Sequence, residues 1–433
     1  MRLCRLRVNR RARTEVVDIR RRVAMVGGAV LLGLVALAFA AAGDRVQHLI
    51  FSISHLAWWL PLLVTPAVFA SVVWATRRFF PEARGSGIPQ IIAAGRRPEA
   101  EANGPLVSLR TAFAKLGLTL ATLAAGGSVG REGPTVQVSA AIMVAVHRIL
   151  KVRITSGVLI AGGAAGVAAA FNTPLAGIAF AIEELASAYE QRVAVLTMGA
   201  VMISGLVSLS IAGDYVYFGV MRDTLPIRDV LLIAPIAGIG GGLTGGLFAR
   251  VVLAASGRSV GWAKRIAERP VLFAAACGLA VAGVGVITNG ATWGTGYDVT
   301  KFLVEGEQGK LWFFPAKLAA ALASTLSGAP GGIFAPSLAV GAGFGNLLTP
   351  IFPDSPAGAV VMMGMVAYFV GVVRAPLTAV IILIEATAAR GVILPLFATA
   401  LIADWTSAQV SPTRLYHGLA KTMLSAKGQY PDP

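Results

Sequence analysis

The residue of this chain with the most unusual chemistry is Glu132, a carboxylate set between glycines within an apolar run, in Gly130-Arg131-Glu132-Gly133-Pro134. The stretch has an acid-free echo 202 positions on, Gly332-Ile333-Phe334-Ala335-Pro336. The same offset carries Lys115 onto Lys317, Gly126 onto Gly328, Val138 onto Val340, Pro174 onto Pro376, Leu175 onto Leu377 and Glu183 onto Glu385. One register held over about 70 positions makes the chain two copies of one unit. Glu132 is where the copies differ most sharply.

A second echo lies in the loops at a slightly longer offset. Gly85-Ser86-Gly87-Ile88-Pro89 is matched by Gly294-Thr295-Gly296-Tyr297, 209 positions on, each with a hydroxyl between two glycines. Glycines let backbone approach a ligand closely, and proline suits the first turn of a helix. A helix N-terminus presents unpaired N–H groups and about half a positive charge, enough to hold a small anion without a full cationic partner. Glu132-Gly133-Pro134 and Phe334-Ala335-Pro336 repeat the design. Any one of these motifs alone is read more simply as a turn between helices. Three, with two in strict repeat register, point to an anion pathway built from converging helix N-termini.

In such a pathway Glu132 competes with the anion. Ionised, it occupies the anion's place; protonated, it loses that attraction and swings away. An ionisable side chain inside a membrane costs about 2.5–3.5 kcal/mol or more, so it marks a functional position. Arg131 beside it offers an alternative role as a structural charge partner. Glu183-Glu184 form the second acidic pair. Glu183 has a counterpart in Glu385 and reads as scaffold or interface, whereas Glu184 falls on Ala386 and suits a one-directional task such as delivering a proton from the cytoplasmic side. The competing reading ends a helix at an aqueous boundary with Glu184.

The elements that must position these residues are membrane-embedded. The 433 residues are 56% hydrophobic and 13% charged, against roughly 25% charged in soluble domains. Uncharged runs recur at 23–43, 50–76, 154–182, 193–212, 231–249, 271–288 and 357–373; several reach the roughly 20 residues that span a bilayer. Runs 116–128 and 333–348 are shorter, broken by glycine and proline, and read as half-helices or re-entrant segments, allowed at depth only where protein or water surrounds them. The net charge of +16 is concentrated at one end: residues 1–22 hold nine arginines against Glu15 and Asp18. This places the N-terminus in the cytoplasm, with Arg77, Arg78 and Arg84 and the tail residues Arg414, Lys421 and Lys427 on the same side. It is explained by anionic lipid rather than nucleic acid. Ala38-Phe39-Ala40 resembles a cleavage site, but the apolar run before it is too long for a signal peptide. Cys4 and Cys277 imply no disulfide framework, and His48, His55, His147 and His417 show no metal-ligand spacing. The organisation expected is a basic segment and first apolar helix at 1–49, a first repeat at 50–215, a linker at 216–229, a second repeat at 230–410 and a short cytoplasmic tail at 411–433. Sequence similarity alone leaves parallel and inverted repeats equally open.

These signatures, with Tyr416 in Arg414-Leu415-Tyr416, resemble the CLC chloride channels and proton-coupled chloride transporters over nearly the whole chain. The resemblance implies an all-α, polytopic fold of two inverted repeats with broken and re-entrant helices, assembled as a homodimer with one pore per subunit. It implies that Ser86, Tyr416 and the backbone amides of Ile333 and Phe334 coordinate chloride, that Glu132 is the external gate and that Glu184 is the internal proton-transfer glutamate, with Gly85, Gly87, Pro89, Gly130, Arg131, Gly133 and Pro134 in support. Glu184 is a feature of many exchangers of the family, and Ser86 of its chloride-selective members; Gln90 stands where an acid is common. The expectation is a chloride/proton antiporter of the short prokaryotic type in the bacterial inner membrane, both termini cytoplasmic, with no cofactor, no metal and no enzymatic activity. A passive voltage- or pH-gated chloride channel would use the same anion site. A membrane-embedded hydrolase would need a base near Ser86 or Ser128, and none of the four histidines is near either in sequence.

Overall fold

Local sequence punctuation sets the helix boundaries. The computed structural model describes residues 2–426 except 102–103, 186–190, 214–217, 258–260 and 390. Side chains 2–17, including Cys4 and six of the arginines, lie outside the described part, as do Lys427 and the start of the expected linker. Nineteen α-helices occur among the described residues. In the first half they are α1 (Arg2–Leu56), α2 (Pro61–Phe79), α3 (Ile88–Gly95), α4 (Pro98–Glu101), α5 (Leu109–Ala124), α6 (Glu132–Ile149), α7 (Ser156–Phe171), α8 (Pro174–Phe180) and α9 (Gln191–Ala212). The second half holds α10 (Ile227–Gly257), α11 (Gly261–Glu268), α12 (Pro270–Ile287), α13 (Tyr297–Val304), α14 (Phe313–Leu326), α15 (Phe334–Leu348), α16 (Ala357–Val373), α17 (Pro376–Thr387), α18 (Ile393–Val410) and α19 (Leu415–Ala426). Six helices are long and apolar enough to cross a membrane, counting α18 and α19 as one stretch. The outer surface inverts the soluble pattern: Leu394 is 80% exposed, Leu231 70% and Trp405 65%.

The apolar run 50–76 is not one span. It divides between α1 and α2, because Pro61 begins a new helix after a turn. Run 154–182 likewise divides at Asn172, which takes the left-handed conformation (φ 57°) just before Pro174 opens α8. Arg374, the residue 202 positions on, does the same (φ 62°) before Pro376 opens α17. Residues 49 and 50 both lie inside α1, so the boundary drawn there by hydropathy cuts a continuous helix. α1 packs on α7 and α9 as α10 packs on α16 and α18, so α1 belongs structurally with the first copy.

The halves meet reciprocally. Gly130 N–H donates to Gly332 C=O (2.8 Å) and Gly332 N–H to Gly130 C=O (2.7 Å), an isolated antiparallel bridge between equivalent residues. Glu183 accepts from the N–H groups of Leu377 (3.1 Å) and Thr378 (2.8 Å) at the start of α17. Glu385 accepts from those of Leu175 (3.1 Å) and Ala176 (2.8 Å) at the start of α8. When residue i of one unit meets j of the other while j meets i, a two-fold axis relates them. The bridge is antiparallel and joins equivalent residues, as a local two-fold axis between the copies requires. α7 and α16 lie almost wholly buried within their halves. Close packing there depends on small residues: a Cβ on Gly364 of α16 would fall within 2.4 Å of Gly345 Cα on α15.

Candidate functional site

Three glycine loops converge where the halves join. Gly331 N–H donates to Gly85 C=O (3.1 Å), which ties the Ser86 loop to the second half, and the Gly130–Gly332 bridge closes the other side. From these loops start α3, α6 and α15. Gly133 has no Cβ because Ser86 fills that space: a Cβ there would lie 2.5 Å from Ser86 Oγ and 3.3 Å from Gly332 Cα. Gly87 takes φ 107°, and a Cβ on it would stand 2.7 Å from Gly133 C=O. The loops are thus in van der Waals contact through backbone, as a site made of N–H groups requires.

Buried lysines hold these loops in place. Lys115, fully buried in α5, donates from Nζ to Ala83 C=O (2.9 Å) and Gly85 C=O (2.5 Å). Lys317 in α14 donates to Thr292 C=O (3.0 Å) and Gly294 C=O (2.8 Å), the same positions of the second copy's loop. Pro89 stands in the first turn of α3, and Gln90 Nε2 donates to Arg84 C=O (2.6 Å), pinning the loop from inside. Pro134 stands in the first turn of α6, as Pro336 does in α15.

The polar atoms at the convergence have no protein partner. Ser86 Oγ, Tyr416 Oη and both Glu132 carboxylate oxygens are buried without a hydrogen bond. Buried polar groups are nearly always satisfied, so a cluster left open is a site shaped for something else. The Tyr416 hydroxyl stands within interaction range of the Ser86 hydroxyl, and the charges of both Glu184 and Glu132 reach it. The donors nearest the Glu132 carboxylate are its own N–H and that of Ala335 in the first turn of α15. The acid of one half therefore lies over the helix N-terminus of the other. Ile333 is the N-cap of α15, and Phe334 its first residue. The Phe334 ring packs against Phe369 (4.9 Å between centroids), Phe180 (5.8 Å) and Tyr416 (6.0 Å), an aromatic cluster beside the Tyr416 hydroxyl. Arg131 does not stand alone with Glu132: its guanidinium donates to Asp44 (2.7 Å) and Ala40 C=O (2.5 Å) on α1 while its charge also acts on Glu132.

A model of the voltage-gated chloride channel family matches residues 62–408. The chain belongs to the CLC family. Its fold superposes on the crystal structure of a slow cyanobacterial Cl⁻/H⁺ antiporter with a TM-score of 0.80 at 25% identity, covering 94% of this chain and 99% of that one. A eukaryotic CLC transporter (TM-score 0.72, 23% identity, 94% and 75% covered) and a CLC-type fluoride/proton antiporter (0.75, 21%, 92% and 97%) share the fold.

Within this CLC protein Glu184 stands apart from the other acids. It lies on a π-helical turn, Ala181–Leu185, where the second half has plain α-helix. π-turns are rare and frequently mark functional positions. Its side chain is fully buried, and its nearest ionisable neighbour is His417, with Nδ1 3.2 Å from Oε1. Sequence spacing gave no role to His417, 233 residues away; only its position next to Tyr416 could have drawn attention to it. The roles of Lys115 and Lys317 were equally hidden, although their repeat register marked them as shared structure.

Proposed function

We propose that this protein is a chloride/proton antiporter in which Glu132 is the gate and Glu184 the inner proton site. What supports this best is the open set of buried polar atoms: the Ser86 and Tyr416 hydroxyls and the Glu132 carboxylate lie together without hydrogen bonds, beside the first turn of α15. Chloride accepts hydrogen bonds and gives none, so it suits donors that have no protein acceptor. The Ile333 and Phe334 amides join the two hydroxyls as its ligands. An ionised Glu132 carboxylate takes the same electrostatic position over α15 that an anion would take. Protonation removes that attraction, the side chain leaves carrying the proton on its carboxyl, and chloride enters the position it gave up. Exchange in opposite directions follows when one site accepts either the carboxylate or the anion.

Two glutamates of unlike environment favour exchange over passive conduction, since a channel needs no inner proton site. The test is a flux assay on purified protein in liposomes, with pH and chloride recorded together. A pH gradient should drive chloride movement uphill, and a chloride gradient should drive protons. Chloride flux with no proton movement would establish the channel reading instead. Glu184→Gln should stop proton transport while chloride still moves. The exposed apolar faces of α9 and α18, with Leu206 57% and Leu401 60% exposed, leave surface for lipid and for a second copy; cross-linking in membranes should yield a homodimer. The proposed orientation places both termini in the cytoplasm of a bacterial cell, which labelling of a tail cysteine from either side would check.

A further inference from the structure

Glu184 needs a route to solvent that its own surroundings deny it. Its side chain is 0% exposed, and neither carboxylate oxygen has a hydrogen bond. The adjacent Glu183 is committed elsewhere, with both oxygens engaged by α17 donors, including the Thr378 hydroxyl at 2.8 Å. Among the described residues, the one ionisable side chain within ion-pair distance of Glu184 is His417, whose imidazole is 36% exposed. Its Nδ1 has no other partner. The ring therefore touches water at one end and the buried acid at the other. Imidazole is the side chain that both gains and loses a proton between pH 5 and 8.

We propose that His417 relays protons between the aqueous face and Glu184. The inference rests on Glu184 acting as the inner proton site. In the inward step the imidazolium N–H bond at Nδ1 breaks, an O–H bond forms on Glu184 Oε1, and the neutral ring, protonated on Nε2, turns so that Nδ1 takes a new proton from water before it returns. The charges facing the pair are Arg414, which donates to Glu183 C=O (3.3 Å) and acts on Glu184, and Glu183 itself, with the Tyr416 hydroxyl on the inner side. Of the helices packed on α19, α3 carries no ionisable side chain, α16 only Tyr368, and α10 Arg228, Asp229 and Arg250. None of these offers a second imidazole.

The test uses full-length protein in liposomes, with proton and chloride fluxes measured together from pH 5 to 8 for wild type, His417→Ala, His417→Asn and Glu184→Gln. The relay predicts that both His417 variants lose proton flux by about tenfold or more, raise the chloride-to-proton ratio and flatten its pH profile. Added imidazole should restore proton flux to His417→Ala, an outcome a purely structural histidine would not give. His417→Asn keeps the ring's approximate size and a hydrogen-bonding group, so the test stands if the alanine variant does not fold. An unchanged ratio and pH profile in either folded variant overturns the relay. If Glu184→Gln still couples normally, the inner-site reading fails as well; if only that variant uncouples, the relay alone is wrong.

Discussion

At the start of α6 and of α15 the two halves place one backbone under different side chains: φ and ψ are −99° and −13° at Arg131, and −104° and −14° at Ile333. Glu132 follows in the first half, and Phe334 in the second. The loops before α3 and α13 repeat the contrast more quietly. Gly85 and Gly294 share φ values of 64° and 63°, yet Ser86 Oγ has no partner while Thr295 Oγ1 accepts from Tyr297 N–H (3.4 Å) inside its own loop. The second loop borders a cavity of about 210 Å³ lined by His48, Asn289 and Asp298, whereas the first is tied to the other half by the Gly331–Gly85 hydrogen bond. At the third position Glu184 stands on a π-turn, and Ala386 on regular helix. Duplication supplied the framework twice, and the acids Glu132 and Glu184 stand in one half only. A symmetric pair of acids would put like charges near a single anion site and disfavour the ion.

The largest expected effect comes from erasing the first difference. Glu132→Gln makes the carboxylate permanently neutral, and proton flux in liposomes should fall at least about a hundredfold while chloride still passes; retained coupling would mean that the gate lies elsewhere. The buried lysines test what the halves share. Lys115→Met and Lys317→Met each leave two loop carbonyls without a donor, so each should destabilise the folded protein by about 1–3 kcal/mol, read as a lowered unfolding midpoint in detergent. Only Lys115→Met should also weaken chloride binding, because only its loop carries a free hydroxyl. Equal chloride affinities in the two variants would break the comparison.

Gly133 and its counterpart Ala335 differ by one methyl group. Gly133→Ala places that methyl against Ser86, and overpacking of about 1–3 kcal/mol should lower chloride affinity roughly tenfold by calorimetry; Ala335→Gly should leave it nearly as it is. The smallest effect is expected where the halves are most alike. Glu183→Gln and Glu385→Gln each weaken a reciprocal helix cap, and each should cost about 1 kcal/mol by thermal unfolding. A Glu183 variant that also lost proton coupling would move the inner proton site from Glu184 to its neighbour.

Much of the site was legible in the sequence because it is local. Glycine-rich turns followed by proline mark where helices begin, and an acid among apolar residues stands out without a structure. The 202-residue register separated shared positions from unique ones, so Glu183 was readable as scaffold before its contact with α17 was seen. Helix limits were less legible. Hydropathy merged α1 with α2 and α7 with α8, since a left-handed turn at Asn172 leaves no trace in apolarity.

The sequence by itself determined a membrane protein of two related halves, with glycine-proline helix entries in both and an acid in one. It did so through composition, periodic apolar runs and a fixed register, which are properties of the chain read in order. Only the tertiary structure decided that the halves meet about a two-fold axis, because reciprocal contacts between Gly130 and Gly332 exist in space and not along the chain. Only it could bring Glu132 over the first turn of α15, set Lys115 beneath the Ser86 loop, and place His417 against Glu184. Those contacts span 30 to 233 residues of sequence and depend on how helices cross, which no local pattern specifies.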